Sequence, residues 1–244
     1  KEFDLKKIKI IDNENYSKTD LHKMALQLLE IRKGKVKNEK EALEFLKNKM
    51  NFACMLLKQN KIDGIVSGAN TSTSDTVRPA LQIIKADKNS SIVSSYFLII
   101  LPHEKLANKE FVFADCGLNA CPNANELAEI ACQSAKSFES LTGKKAKVAL
   151  LSFSTKGSAQ HESLDKIIKA LEIAKTKNPE LMIDGELQGD AALILEIGKK
   201  KSPNSQVAGQ ANVLIFPDLN SGNIAYKLVE RMGLATAIGP ILQG

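Results

Sequence analysis

The sequence predicts an α/β protein in which a mainly parallel sheet is covered by helices. Two observations predict this class: apolar runs of strand length alternate with helical periodicities, and these runs are continuously apolar. Strands that are apolar on both faces are typical of a parallel sheet buried between layers of helices. The length of 244 residues, 43% of them hydrophobic, is enough for two compact domains.

Eight apolar runs have the length of a strand. They cover residues 8–11, 64–66, 92–101, 111–114, 148–151, 181–183, 213–216 and 235–238. The runs 92–101 and 111–114 are joined by a polar loop instead of a helix, which predicts an antiparallel hairpin. We expect a change of domain just before this hairpin. The predicted domains are 1–89 and 90–240, with residues 241–244 returning towards the first domain.

Helical periodicity fills most intervals between the apolar runs. From Asn38 to Gln59, apolar residues keep one stripe, which predicts a single helix, and Asn38 with Glu41 resembles a capping box. Pro79 fits a first helical turn and predicts a helix that begins near Arg78. The other predicted helices cover 20–33, 125–141, 163–175, 190–200 and 221–232.

The composition argues against nucleic-acid and membrane partners. The net charge is +6, but only three of the 34 basic residues are arginine, aromatic residues are 5%, and tryptophan is absent. Such a chain lacks the stacking side chains on which single-stranded nucleic acid binds. No apolar run reaches the roughly 18–20 residues of a membrane helix. We therefore expect a soluble, cytoplasmic protein.

The cysteine and histidine residues predict neither a metal site nor a catalytic triad. The four cysteines include no CxxC pair, and the three histidines are scattered. A disulfide framework or a zinc site is therefore not expected. These residues are Cys54, Cys116, Cys121, Cys132, His22, His103 and His161.

The first candidate anion-binding loop joins the predicted strand 64–66 to the predicted helix at Arg78. Arginine is scarce in this chain, and a guanidinium at a helix start suits phosphate. The hydroxyls before it could contact the same anion, or they could only form a turn or a cap. These hydroxyls belong to Thr71, Ser72, Thr73 and Ser74. Arg32 ends the predicted helix 20–33, where it could bind an anion or complement the helix dipole.

Two further loops follow predicted strands and open predicted helices. Ligands bind at the carboxyl ends of strands in open α/β sheets, so these loops are expected to share one crevice. The second loop, 152–157, offers Ser152, Ser154, Thr155, Lys156 and Gly157, but it lacks the spacing of a nucleotide-binding P-loop. The third loop offers Asp218, Asn220 and Asn223, which could also cap the next helix. Asp184, Gln188 and Asp190 follow the run 181–183 and could orient a partner group or cap a helix.

In these stretches the chain resembles the phosphate acetyltransferase (phosphotransacetylase) family. The similar stretches run in order over nearly the whole chain. They are 30–33, 68–82, 94–97, 126–135, 151–155, 183–192, 212–223 and 238–244. The last two, Asn-Val-Leu-Ile-Phe-Pro-Asp-Leu-Asn-Ser-Gly-Asn and Ile-Gly-Pro-Ile-Leu-Gln-Gly, are specific to that family and its close relatives.

The resemblance implies a fold, a reaction and a set of binding residues. The fold is a two-domain subunit of isocitrate/isopropylmalate dehydrogenase-like architecture, with an active cleft between the domains, usually in a homodimer. The reaction is the reversible transfer of acetyl between coenzyme A and inorganic phosphate, through a ternary complex and without a metal or other cofactor. Arg32 and Arg78 match two anion-binding arginines, and the loops 71–75 and 152–157 would line the cleft.

The chain departs from the family pattern at both ends. In the family, the last motif is followed by a serine–arginine pair and an aspartate assigned to catalysis, whereas this chain ends at Gly244. The first strand–helix units of the family are also missing ahead of Lys1. We therefore expect a truncated chain whose catalytic residues are unknown. Three alternatives stay open: a phosphate butyryltransferase, the acetyl-CoA-sensing domain of a malic enzyme, and a plain anion-binding module.

Overall fold

The computed structural model describes residues 8–101 and 103–244. The chain divides into two compact units, of which the first ends at Ala86 and the second runs from Asp87 to Gly244. The domain limits 1–89 and 90–240 and the return of 241–244 stay predictions. The dehydrogenase-like architecture with its cleft also stays a prediction.

The described part of the first unit is helical. Its helices pack around a core that includes Met24, Leu28, Leu46, Met55 and Ile83, each at most 2% exposed. The helices are α1 (Lys18–Ile31), α2 (Glu39–Leu46), α3 (Lys49–Lys58), α4 (Thr73–Pro79) and a π-helix (Ala80–Ile84).

The strands predicted at 8–11 and 64–66 are wrong. Neither segment is a strand, and Ile10 is 87% exposed while Val66 is fully exposed. A strand needs a neighbour to bond its backbone N–H and C=O groups. Among the described residues neither segment pairs with another strand, so its apolar side chains do not make it one.

The single helix predicted over 38–59 is divided into α2 and α3. Asn38 caps α2, since its side chain accepts the N–H of Glu41 at 2.9 Å, as the sequence predicts. The break occurs because Asn48 accepts the N–H groups of Met50 and Asn51 at 3.0 and 3.1 Å and so starts a second helix. The amide of Asn51 also donates to Phe45 O at 2.8 Å, where α2 ends.

The second unit is built on a six-stranded sheet of order β4-β3-β5-β2-β1-β6. The strands β4, β3, β5 and β2 run parallel to one another, whereas β1 is antiparallel to both of its neighbours, β2 and β6. The hairpin of 92–101 with 111–114 is thereby confirmed. The strands are β1 (Ser94–Ile100), β2 (Glu110–Ala114), β3 (Val148–Leu151), β4 (Ile183–Leu187), β5 (Val213–Ile215) and β6 (Thr236–Gln243).

Helices cover both faces of this sheet and create two cores. One core contains Phe138 and Leu150 and the other contains Phe113 and Leu214, all at most 6% exposed. This α/β class, with helices on a largely parallel sheet, confirms the predicted fold class. The helices are α5 (Ala124–Thr142), α6 (Glu162–Lys177), α7 (Gly189–Leu193), α8 (Leu195–Lys201) and α9 (Leu219–Met232).

Three predicted boundaries in the second unit are wrong. The strand predicted over 235–238 continues as β6 to Gln243. The strand predicted to end at Ile183 continues as β4 through the polar residues Asp184 and Glu186. The helix predicted over 190–200 breaks at Ile194, because carbonyls of α7 accept from outside the helix. Ala191 O accepts the N–H of Gly209 at 2.8 Å and Ala192 O that of Ala211 at 3.1 Å.

Candidate functional site

The carboxyl ends of four parallel strands define one edge of the second unit's sheet. Strand β3 is followed by the loop 152–158 (the β3–α6 loop), and β5 is followed by residues 216–218, which lead into α9. Strand β4 ends beside β3 and leads directly into α7. Two of the three candidate loops therefore lie at one strand-end edge, where ligands bind in such sheets. In the first unit, the loop before α4 follows no strand.

A cavity of about 700 Å³ lies at this edge. Its wall includes Ser152 and Asp218, both named from the sequence, and the aromatic rings of Phe153 and Phe216. Phe153 is 57% exposed, so its ring presents apolar surface to this cavity. A concave, largely apolar cavity with a few polar groups is the usual form of a small-molecule site.

The charged groups around this cavity are already engaged or are acidic. Lys166 Nζ donates to Pro217 O at 2.7 Å. Asp218 accepts the N–H of Ser221 at 2.9 Å and so caps α9, and Glu162 adds a second carboxylate. The cavity therefore suits an apolar or uncharged part of a ligand better than a free phosphate ion.

Three predicted binding residues of the β3–α6 loop face β4. Ser154 and Thr155 are 0% and 5% exposed. Ser154 Oγ donates to Glu186 Oε1 at 3.0 Å, and Gly157 N–H donates to the same oxygen at 2.7 Å. Thr155 Oγ1 accepts the N–H of Gln188 at 3.0 Å. These groups hold the loop in shape, and their contact with substrate stays a prediction.

An ion pair adds to the contacts between this loop and β4. Lys156 Nζ bonds Asp184 Oδ1 and donates to Gly185 O at 2.8 Å. Burial raises the pKa of Asp184, but hydrogen bonds from Lys156, Ser205 and the Gly185 N–H outweigh it and lower that pKa. Asp184 is therefore a charged partner of the loop lysine.

The third loop, which follows β5, supplies a helix cap and a side-chain hydrogen bond to a distant backbone carbonyl. Of its three candidates, Asp218 is the N-cap of α9, and Asn223 donates to Cys116 O at 3.0 Å. Asn220 lies exposed in the first turn of α9. Gly222 lets this helix approach β2 closely, because a Cβ there would lie 2.5 Å from Asp115 O.

In the first unit, the helix predicted to begin near Arg78 begins five residues earlier. Ser72 is its N-cap, accepting the N–H of Asp75 at 3.1 Å, and Arg78 lies exposed in the last turn. Pro79 ends α4 instead of opening a helix. Since proline cannot donate the next helical hydrogen bond, the chain continues as a π-helix, with Lys85 N–H donating to Ala80 O at 3.1 Å.

The hydroxyls predicted to surround an anion bond one another. Thr71 Oγ1 lies 3.2 Å from Thr76 Oγ1, and Ser72 Oγ lies 2.9 Å from Ser74 Oγ. Ser72 Oγ also donates to Asp75 Oδ2 at 2.6 Å, which places a carboxylate in the cluster. Thr73 is the exposed first residue of α4. Arg78 is therefore not at the helix start with these hydroxyls, and their common anion contact stays a prediction.

Arg32 caps the C-terminus of α1. Its backbone N–H donates to Leu28 O at 2.8 Å, and its guanidinium carbon lies 5.3 Å from the Phe45 ring centroid. The Nε atom is buried and bonds no atom of the described residues. Buried polar atoms usually have a partner, so Arg32 has one donor that the described residues leave unsatisfied, and its contact with an anion stays a prediction.

Sequence reasoning missed two buried carboxylates at the strand-end edge, those of Glu186 and Asp115. Asp115 directly follows β2, is 2% exposed, and accepts Ser95 Oγ at 2.5 Å. The position of Asp115 after a strand was visible in the sequence, whereas Glu186 lies beyond the predicted end of its strand and its partners Ser154 and Gly157 are about thirty residues away. Burial raises the pKa of the Cys116 thiol, and the neighbouring charge of Asp115 raises it further, so this thiol is a poor nucleophile.

Within the described residues, no cluster of three or more His, Cys, Asp or Glu side chains could hold a metal ion. No helix in residues 8–101 and 103–244 has both the length and the apolar character to cross a membrane.

Comparison with known proteins identifies the family. The model of the Phosphate acetyl/butaryl transferase family matches residues 1–244. The phosphate acetyltransferase of Thermoanaerobacterium thermosaccharolyticum is 51% identical over 242 residues, which are 99% of this chain and 73% of that protein. That of Bacillus subtilis is 44% identical over 237 residues, 97% of this chain and 71% of that protein. The crystal structure of a phosphotransacetylase from Streptococcus pyogenes superimposes with a TM-score of 0.87 at 48% identity, covering 96% of this chain and 69% of that one. The chain belongs to the Phosphate acetyl/butaryl transferase family.

Proposed function

We propose that this protein is a phosphate acetyltransferase, which transfers acetyl reversibly between coenzyme A and inorganic phosphate. The observation that carries the proposal is the whole-chain family match, together with relatives named phosphate acetyltransferase at 44–51% identity. A phosphate butyryltransferase, the sensing domain of a malic enzyme and a plain anion-binding module are not favoured, because those relatives are named for acetyl transfer.

In the proposed mechanism the protein positions two substrates and does not form a covalent intermediate. The thiolate of coenzyme A attacks the acetyl carbon of acetyl phosphate in a ternary complex, and the carbon–oxygen bond to phosphate breaks. Burial raises the pKa of Cys54 to about 11 and also raises that of Cys116, so neither thiol is a ready nucleophile. Acetyl transfer then depends on proximity and on charge stabilisation.

We assign separate tasks to the residues described above. The guanidinium groups of Arg32 and Arg78 bind the phosphoryl groups, because a planar fork of donors matches phosphate oxygens. The cavity at the strand-end edge accepts an uncharged part of the larger substrate beside Ser152 and Phe153. The partners are acetyl-CoA, phosphate and acetyl phosphate, used in acetate metabolism, and coenzyme A is a substrate instead of a resident cofactor.

We also place the reaction in the cytoplasm. The support is that all four cysteines are free thiols, which is the state that a reducing compartment maintains.

A thiol-release assay tests the proposed function. The purified full-length protein is mixed with acetyl-CoA, and free thiol is measured with and without inorganic phosphate. We expect thiol release that depends on phosphate, with acetyl phosphate as the second product. Butyryl-CoA is the matched control and is expected to react more slowly. Release that is independent of phosphate, or no release, would contradict the proposal.

We further propose that the protein is a homodimer that buries the apolar face of α9. Ile224, Leu228 and Met232 follow one another at a spacing of four residues and are 58%, 52% and 79% exposed. An exposed apolar stripe of this kind is typical of an interface. Light scattering is expected to give twice the mass of the full-length chain. The variant Leu228→Glu should shift the protein to the monomer mass, while Lys227→Glu should not.

A further inference from the structure

We infer that Glu186 is a positioning residue for the site at the strand-end edge. Its carboxylate holds the β3–α6 loop in the conformation that presents Ser152 and Phe153 to the cavity. The inference deepens the proposed function and rests on it for its kinetic test. It assigns to Glu186 no contact with substrate.

The contacts of Glu186 converge on the loop. Its Oε1 accepts both Ser154 Oγ at 3.0 Å and the Gly157 N–H at 2.7 Å. Its backbone carbonyl accepts the Lys156 N–H at 3.2 Å. Glu186 is 4% exposed, and among the described residues it forms no ion pair. Hydrogen bonds from the loop therefore satisfy this buried carboxylate, and the same bonds fix the loop.

Other residues of β4, and the residue that follows it, also bond the β3–α6 loop. Lys156 Nζ bonds the Asp184 carboxylate and Gly185 O. Thr155 Oγ1 and the Gln188 backbone N–H are 3.0 Å apart at the end of the strand. Each loop residue from 154 to 157 is thus bonded to β4 or to the residue that follows it.

The loop needs these contacts because its backbone is strained at Lys156. Lys156 has φ +50° and Gly157 has φ +79°, both in the left-handed region, which glycine adopts without strain but lysine does not. A residue with a side chain, such as Lys156, adopts that region only when surrounding contacts hold it there. Beyond this bend, Ala159 N–H donates to Ser154 Oγ at 3.1 Å. Loss of the Glu186 acceptor therefore releases the bend and, with it, the orientation of Ser152 and Phe153.

Three variants separate positioning from simple stability. Glu186→Ala removes the acceptor of Ser154 and Gly157. Glu186→Gln keeps an acceptor oxygen and nearly the same volume, so it is the conservative variant. Ile183→Ala removes a 5%-exposed core side chain of the same strand that contacts the sheet core and forms no loop hydrogen bond. It is the matched control for a loss of stability alone.

The kinetic readout is the KM for acetyl-CoA at saturating phosphate. We expect Glu186→Ala to raise this KM about tenfold, because Ser152 and Phe153 would no longer be held in the orientation that the substrate needs. We expect Glu186→Gln to stay within about twofold of the parent protein, and Ile183→Ala to lower the Tm without changing this KM. An unchanged KM in Glu186→Ala, or an equal effect of Gln and Ala, would overturn the inference.

Amide hydrogen exchange tests the same point without the reaction. In Glu186→Ala, the peptide that contains residues 153–159 should exchange at least about tenfold faster, while peptides of α5 should keep their rates. In Glu186→Gln both should match the parent protein. If the parent protein shows no acetyl transfer, the proposed function fails and the exchange rates alone decide the inference. Equal loop exchange in all three proteins would overturn it.

Discussion

Replacing Asp115 with alanine is expected to destabilise the second unit by about 3 kcal/mol or more. Its buried carboxylate accepts five hydrogen bonds, from Ser95 Oγ at 2.5 Å, from the N–H groups of Gly117, Leu118 and Asn119 at 3.0–3.1 Å, and from Asn119 Nδ2 at 2.6 Å. Alanine would leave the buried Ser95 hydroxyl and the half-buried donors of residues 117–119 without this acceptor. Each unsatisfied buried donor costs about 1–3 kcal/mol, although relaxation recovers part of that sum.

The conservative variant distinguishes hydrogen bonding from packing at this position. Asp115→Asn keeps one acceptor oxygen and nearly the same volume, so we expect a smaller loss, about 1–2 kcal/mol. Glu180→Ala, at an exposed position after α6, is the surface control and should change stability by less than about 0.5 kcal/mol. Urea unfolding followed by circular dichroism measures all three variants. A loss below 1 kcal/mol for Asp115→Ala would show that the network does not stabilise the fold.

The sequence predicts well those elements whose local residue pattern favours the same structure as their tertiary contacts. The run 148–151 is apolar throughout and forms β3, and the hairpin of β1 with β2 follows from two apolar runs joined by a polar loop. The cap of α2 at Asn38 depends on residues three apart and is therefore readable. Local patterns suffice where local and tertiary preferences coincide.

The elements that the sequence predicts poorly depend on distant partners. Strand β4 extends through Asp184 and Glu186 because the β3–α6 loop, about thirty residues earlier, neutralises or bonds their carboxylates. The segment 64–66 is apolar, yet it has no neighbouring strand among the described residues, and Gly64 and Val66 stay exposed. An apolar pattern shows that a segment favours burial, but it does not show whether the fold supplies a strand for it to pair with.

The same limit applies to the candidate site. The sequence correctly indicates that the loops after β3 and β5 lie at one edge, because parallel strands end together. It does not show that Ser154 turns towards β4 while Phe153 turns outward, since that choice depends on Glu186. Nor does it show that Pro79 ends α4, because proline is compatible with either the first turn or a break in the helical hydrogen bonds.

Arg32 is the residue of the first unit whose replacement should have the largest effect on activity. Its Nε donor is buried and bonds no other described residue, while its guanidinium lies 5.3 Å from the Phe45 ring centroid. The ring restricts the side chain by a cation–π contact, and an anion from outside the chain can satisfy the free donor. We therefore expect Arg32→Ala to lower kcat/KM for acetyl transfer about 100-fold, the usual loss when a donor to a developing charge is removed.

Two matched variants test whether the guanidinium, rather than positive charge in general, is needed. Arg32→Lys keeps the charge but replaces the planar guanidinium by a single ammonium group. Its kcat/KM should therefore exceed that of Arg32→Ala by less than about tenfold. Lys35→Ala removes one charge from an exposed position three residues away and should leave kcat/KM within about twofold, because exposed charges are screened by salt. We expect the Tm of Arg32→Ala to fall only slightly, because the lost cation–π contact with Phe45 contributes about 0.5–1 kcal/mol. A large fall in Tm with unchanged kcat/KM would instead give the Arg32 side chain a structural role through its contact with Phe45.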